Sequence, residues 1–212
     1  MSSSQTLQEI RRAKPKQARS IQTVENLLDT SALLLEEVGF SNFTTNLLSE
    51  RSGVSIRAIY RYFPNKHALV MELALRLTES WQTEQADHGA VLLSDSSRDW
   101  RVIWPDYLDR FVATVRTAIG GIAIMNAMRS DPLLRKLDRE IHENYTKDVT
   151  ESLLARESNL TRKEATVLSS VLIQSAVGVI SASFEQSPKE ASLAIDMLKT
   201  MQLNLLSDWL AD

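Results

Sequence analysis

Twenty consecutive residues, Ala165 to Phe184, carry no charge, and this run limits the chain to two kinds of fold. A helix of that length spans a hydrocarbon layer; the other solution buries it between layers of protein. Thr166, Ser169, Ser170, Gln174, Ser175, Ser181 and Ser183 are scattered through the run. Lipid leaves such groups without partners, whereas packed helices supply them. The segment therefore reads as a buried helix, and no membrane is expected. Met1 to Glu9 is polar and lacks the apolar stretch of a secretory leader. With no cysteine, disulfides and thiolate metal sites are excluded, and a cytoplasmic setting is the expectation.

Only six Gly and five Pro serve 212 residues, which favours long helices. Ile21, Val24, Leu28, Ala32, Leu35 and Val38 recur at spacings of three and four. They predict one amphipathic helix from about Ser20, closed by Gly39 in a left-handed C′ position. Thr161 with Glu164, and Ser187 with Glu190 across Pro188, have capping-box spacing. They predict the last two helices, roughly 162–186 and 188–210. Asp131-Pro132 predicts the start of another helix, running to about Glu157. Trp100 to Ile119 is helical in character, with a start or kink at Pro105 and an interruption at Gly120-Gly121. Gly89 and Ser94–Ser97 mark a loop. No strand-like alternation and no internal repeat occurs, so the fold class expected is all-α.

Near the N-terminus the punctuation becomes more specific. Two short helical segments, Thr44–Arg51 and Ser55–Tyr62, flank Ser52-Gly53-Val54. Thr44 and Ser55 suit N-caps, Gly53 suits the turn, and Val54 suits a buried residue locking the two segments together. Phe63-Pro64-Asn65-Lys66 then breaks the pattern, and Asn65 caps a long helix reaching about Asp87. Upstream, Arg11, Arg12, Lys14, Lys16 and Arg19 flank Pro15 as a flexible basic arm. Residues 1–70 hold nine Lys and Arg against six Asp and Glu, while the remaining 142 hold 15 against 21. A basic end on an acidic body fits a protein whose N-terminal part alone meets phosphates. The outline is a helix-turn-helix.

Residues 19–71 resemble the TetR family of transcriptional regulators. The likeness rests on Phe43-Thr44-Thr45-Asn46-Leu47-Leu48-Ser49-Glu50-Arg51-Ser52-Gly53-Val54-Ser55, on Ile59-Tyr60-Arg61-Tyr62-Phe63-Pro64-Asn65-Lys66, and on Leu69. The family pattern reads Thr, then Ala-Glu-x-Ala-Gly-Val-Ser, then Leu-Tyr-x-Tyr-Phe-x-x-Lys-x-x-Leu. Ser49 and Ser52 stand where alanine is usual, Leu47 where a polar residue is usual, and Arg57 where glycine is frequent. The small serines leave packing intact; Arg57 changes what the recognition helix reads.

The resemblance implies three parts: the arm (1–18), a three-helix helix-turn-helix domain (19–65), and a larger helical effector-binding and dimerisation domain (66–212). Ser55–Tyr62 would enter the major groove with its N-terminal side chains toward base edges. Ser55, Ile56, Arg57 and Ala58 are then the candidate readers, with Arg57 suited to guanine and Ile56 and Ala58 to thymine methyls. Thr44, Thr45 and Asn46 would meet phosphate at a helix N-terminus. The likeness also marks Tyr60, Tyr62 and Lys66 as phosphate contacts. Lys66 opposes the dipole at its helix start, which a phosphate partner would explain. Ile59 and Phe63 read as core, and either tyrosine reads equally well as partly core. Arg61 fits a solvated charge as well as a phosphate clamp.

The last two helices read as an association surface. The first is apolar nearly all round, with Val167, Leu168, Val171, Leu172, Ala176, Val177, Val179 and Phe184, and small at Ser170, Ser175, Gly178 and Ser181. Leu198, Met201, Leu205 and Trp209 continue the apolar pattern on the second. The resemblance implies a four-helix bundle between two copies. The expected interface is Leu168, Val171, Leu172, Ser175, Val179, Leu198, Met201 and Leu205. It also implies a small-molecule effector, and Trp81, Trp100, Trp104, Tyr107, Phe111, Met125 and Met128 are the candidate pocket, with ordinary core as the alternative. The apolar bias of that set suggests a hydrophobic effector. No catalytic motif is present, no cofactor is expected, and Asp138 with His142 reads as a surface pair, not a metal site. The expected protein is thus a homodimeric, nucleoid-associated repressor that binds double-stranded DNA and is not an enzyme. A helical adaptor on the same scaffold, or a DNA binder without an effector, is the alternative.

Overall fold

The structure is a computed structural model, and it describes residues 17–85, 93–156 and 160–210. The described residues form nine helices and no strand. In chain order these are α1 (Ala18–Asn42), α2 (Thr45–Ser52), α3 (Ile56–Tyr62), α4 (Lys66–Gln85), α5 (Trp100–Thr117), α6 (Gly121–Ser130), α7 (Arg135–Ala155), α8 (Arg162–Ser183) and α9 (Pro188–Ser207). The arm up to Lys16, the expected helix end at Asp87, Gly89, and Glu157 lie outside the described residues.

The chain divides into two compact units. One takes the chain up to Glu79 together with Val115–Asp138; the other takes Ser80–Thr114 together with the chain from Arg139 onward. In the first, α1 packs against α2 and α6, and α2 against α3. Val24, Leu28, Ala32 and Leu35 of the expected stripe are buried, as are Leu27 and Leu34, whereas Ile21 at the N-terminal end is 45% exposed. Gly39 interrupts α1 at φ 69°, ψ 168°. The positive φ is as expected, but the extended ψ makes this a kink instead of a left-handed cap. Gly120, at φ 68° before α6, lies under α1: a Cβ there would meet the Ala32 carbonyl oxygen at 2.6 Å.

Local capping rules account for most helix starts. Asn65 accepts the Ala68 N–H at 2.9 Å and opens α4. Both capping boxes form, Thr161 with Glu164 and Ser187 with Glu190, and Pro188 sits in the first turn of α9. The α7 start moves from Asp131-Pro132 to Arg135. Asp131 Oδ1 accepts the N–H groups of Leu133 and Leu134, so a capped turn comes first. The ends of α8 and α9 fall three residues short of expectation. Their backbones tighten to i→i−3 bonds there, Phe184 to Ser181 and Trp209 to Leu206.

The second unit is built on a cluster that includes Trp81, Trp100, Trp104, Tyr107, Leu108, Val149, Leu153, Leu172, Ile180 and Leu206. Helix α8 is long and apolar enough to cross a membrane by length and composition. Here Ala165, Leu168, Ser169, Leu172, Ile173, Ala176 and Ile180 are buried within the unit. It is not buried all round, because Val167 and Val171 stand exposed on its other face. Ser175 and Ser183 bond to carbonyls of their own helix, while the buried hydroxyls of Ser169 and Ser181 have no hydrogen-bond partner.

Candidate nucleic-acid interface

The three-helix portion of the first unit presents its polar side chains on α2 and α3. Thr44 caps α2, its hydroxyl accepting the Leu47 N–H at 3.2 Å. Gly53 closes that helix in the left-handed conformation at φ 69°, ψ 7°, with its N–H on the Ser49 carbonyl. Ser55 caps α3 by accepting the Ala58 N–H at 3.3 Å. With both caps made by side chains, α2 and α3 start where the sequence places them, and the turn between them spans Gly53 to Ser55.

The recognition segment sorts cleanly by face. Ile59, Tyr62 and Phe63 are buried, while Ile56 and Tyr60 are about two-fifths exposed. Ser55 and Arg57 are exposed and Ala58 is half-buried. Of the candidate readers, Ser55, Ile56 and Arg57 are thus open at the start of α3 and Ala58 less so. The choice between the two tyrosines is also resolved: Tyr62 is core, with the Arg61 guanidinium 5.8 Å from its ring centroid. A ring so enclosed packs the domain, which removes Tyr62 from the expected phosphate contacts. Tyr60 faces outward, and its hydroxyl lies 3.1 Å from Thr45 Oγ1. That hydrogen bond joins the first turn of α2 to α3 and sets two hydroxyls side by side next to exposed Asn46.

Lys66 is used differently from the sequence expectation. Its ammonium donates to the carbonyls of Phe40 (2.9 Å) and Phe43 (3.2 Å) and lies 4.3 Å from the Phe40 ring centroid. Those carbonyls belong to the end of α1, where a cation complements the helix dipole. This accounts for a cation at the start of α4 without any phosphate. Beside it, His67 Nε2 lies 3.3 Å from Asp131 Oδ2. Hydrogen bonds from Leu133, Leu134 and His67 hold the Asp131 carboxyl below the ordinary carboxylate range against the opposing effect of desolvation. Further along α4, Arg76 grips Glu25 of α1 with two guanidinium nitrogens and reaches buried Glu72 at 3.4 Å. None of these ties was foreseen. Their one sequence signal is polar residues interrupting otherwise apolar helix faces.

In the second unit Trp81, Tyr107 and Phe111 meet edge to face at 5.0–5.3 Å, and Trp104 stacks on Tyr107. Burial raises the pKa of the Tyr107 hydroxyl well above its ordinary value, opposed in part by a hydrogen bond with Trp81. Trp100 belongs to the same cluster. Met125 and Met128 lie on α6, which belongs to the other unit. Leu168, Leu172 and Leu198, expected at a subunit interface, are buried within their own unit. They belong to the buried cluster of that unit, and the large apolar residues left exposed include Val167, Val171, Leu193, Met197 and Met201. Ser175, Val179 and Leu205 are half-buried.

Residues 27–73 match the family model of bacterial regulatory proteins of the tetR family. No curated protein sequence matches significantly. Among solved structures, a TetR-family transcriptional regulator from Streptomyces coelicolor superposes with a TM-score of 0.64 at 23% identity, covering 88% of this chain and 98% of that one. Another, from Pectobacterium atrosepticum, gives 0.66 at 13% identity, covering 93% and 99%. SmeT, solved as a complex with triclosan, gives 0.65 at 17% identity, covering 90% and 93%. These likenesses show a common fold over nearly the whole chain, and the family match is confined to the N-terminal segment. Residues 27–73 thus carry the segment that matches bacterial regulatory proteins of the tetR family, on a chain that has the fold of TetR-family regulators.

Proposed function

We propose that this regulator is a cytoplasmic homodimer that represses from a pseudo-palindromic operator and is released by a small hydrophobic effector. The observation that carries the reading is the sorting of α3: Ile56, Arg57 and Tyr60 lie outside while Ile59, Tyr62 and Phe63 anchor the helix from within. An α-helix presenting an arginine beside an aliphatic side chain suits guanine next to a thymine methyl. Thr45, Asn46 and Tyr60 are the phosphate contacts that fix the register, with Thr44 acting through its cap. Support for an effector comes from the aromatic cluster around Tyr107 and from the small molecule held by the similarly folded SmeT.

Dimerisation is supported by the exposed face of α8 and α9. Val167 and Val171 repeat at four residues on one helix, and Leu193, Met197 and Met201 on the other. Apolar side chains repeated so regularly in water mark a contact surface, and a second copy presents the same stripe. Met197→Glu combined with Met201→Glu is expected to convert dimer to monomer in sedimentation velocity, leaving helix content unchanged. A persistent dimer would move the interface elsewhere.

The first test is titration against the DNA upstream of the protein's own gene, with random duplex as competitor, at two salt concentrations. Specific binding that weakens steeply as salt rises is the expected result. Arg57→Ala should then lower discrimination by roughly ten- to a hundredfold, with the melting temperature unchanged because the side chain is exposed. Failure to bind any duplex at low salt would reject this reading in favour of an adaptor.

A further inference from the structure

We propose that Ser49 and Ser52 are positioning residues, which hold α3 in a single orientation by hydrogen-bonding both backbone groups of Val54. The proposal rests on the reading of α3 as the element that meets DNA bases. Both positions depart from the alanines of the pattern that this segment resembles.

The geometry is specific. Ser49 Oγ donates to the Val54 carbonyl at 2.7 Å. The Val54 N–H donates to Ser52 Oγ at 3.2 Å, and that hydroxyl in turn donates to the Leu48 carbonyl at 2.6 Å. A helical serine often bonds to the carbonyl four residues back, and the Ser52 bond to Leu48 taken alone is of that kind. The two bonds to Val54 differ from it in reaching forward out of α2 into the turn, one from two residues back and one from five. The other side of the turn is held as well, since Asn26 of α1 donates to the Ser52 carbonyl at 3.1 Å.

Val54 is the residue through which α2 hands the chain to α3. Its N–H is part of the peptide plane shared with Gly53, and its carbonyl part of the plane shared with Ser55, the cap of α3. Fixing both groups stops both planes from rotating. The valine side chain does not do this, because it is only half-buried. Alanines at 49 and 52 would leave the turn defined by Gly53 and by packing, with Val54 free to pivot. The hydroxyls thus convert a tolerant turn into a rigid one, directly upstream of the residues that face the bases.

The test uses Ser49→Ala, Ser52→Ala and the double variant of the full chain. Alanine favours the helix, so α2 forms in all three. Two readouts are needed: amide hydrogen exchange of Val54 in the free protein, and the sequences each protein enriches from a randomised duplex library. The expected result for the double variant is Val54 exchange faster by about tenfold, the equivalent of one net hydrogen bond. Its enriched motif should be less sharply defined, with binding to random duplex unaltered. Unchanged exchange overturns the proposal. So does faster exchange with an equally sharp motif, which would make the serines merely structural. A wild-type protein that enriches no motif would instead overturn the regulator reading itself.

Discussion

Gly120→Ala is expected to lower stability by about 3 kcal/mol, the sum of a left-handed backbone penalty of roughly 1–2 and a steric cost of similar size. The first part follows from φ 68°, ψ 9°, a conformation at ease only without a side chain. The second follows from the Ala32 carbonyl carbon and oxygen, 3.0 and 2.6 Å from the position a Cβ would occupy. Both are backbone atoms in the middle of α1, so no rotamer change relieves the contact and α1 or α6 has to move. Gly53→Ala is the matched control. It has nearly the same φ, 69°, but open space within 4 Å, and should lose only the conformational part. Chemical denaturation of the two variants separates the effects. Equal losses would mean that α1 and α6 are not in the close contact described.

Gln202→Ala is expected to cost about 3 kcal/mol, from a buried donor stranded without its acceptor and from the cavity left behind. Gln202 is fully buried. Its amide oxygen accepts the Trp104 indole N–H at 2.7 Å, and its nitrogen donates to the Leu172 carbonyl and to Ser175 Oγ, both at 2.8 Å. One side chain thus ties α5, α8 and α9 together. Gln202→Met restores most of the volume but none of the bonds, so it should recover the cavity portion only. If both variants unfolded at the wild-type denaturant midpoint, the network would contribute nothing to stability.

These two glycine and glutamine sites show where sequence reading succeeds and where it stops. Gly53, Asn65, Thr161 and Ser187 were legible because their partners lie within a few residues, and capping chemistry is local. Gly120 was legible as an interruption, but its cause, the backbone of Ala32, is distant in the chain. Gln202 sits among apolar residues of α9 and gives no local sign of burial, because its partners come from two other helices. The interface expectation failed at Leu168, Leu172 and Leu198 for a related reason. A helix apolar on two faces does not reveal which of them its own neighbours cover. On α3 the anchors Ile59 and Phe63 recur at helical spacing, and their burial was legible. Lys66 and Tyr62 were assigned by family position, and nothing local in the sequence showed the carbonyls that hold the one or the core that encloses the other.

The anchoring of Lys66 has a mechanical consequence. Its bonds to Phe40 and Phe43 rivet the first turn of α4 to the last turn of α1, bypassing the Phe63–Asn65 connection that joins α4 to α3 in the chain. A short linker on its own would absorb a small rotation of α4 in its torsions. Riveted, the first turn of α4 and the last turn of α1 behave as one piece, and the Phe63–Asn65 connection keeps little freedom of its own.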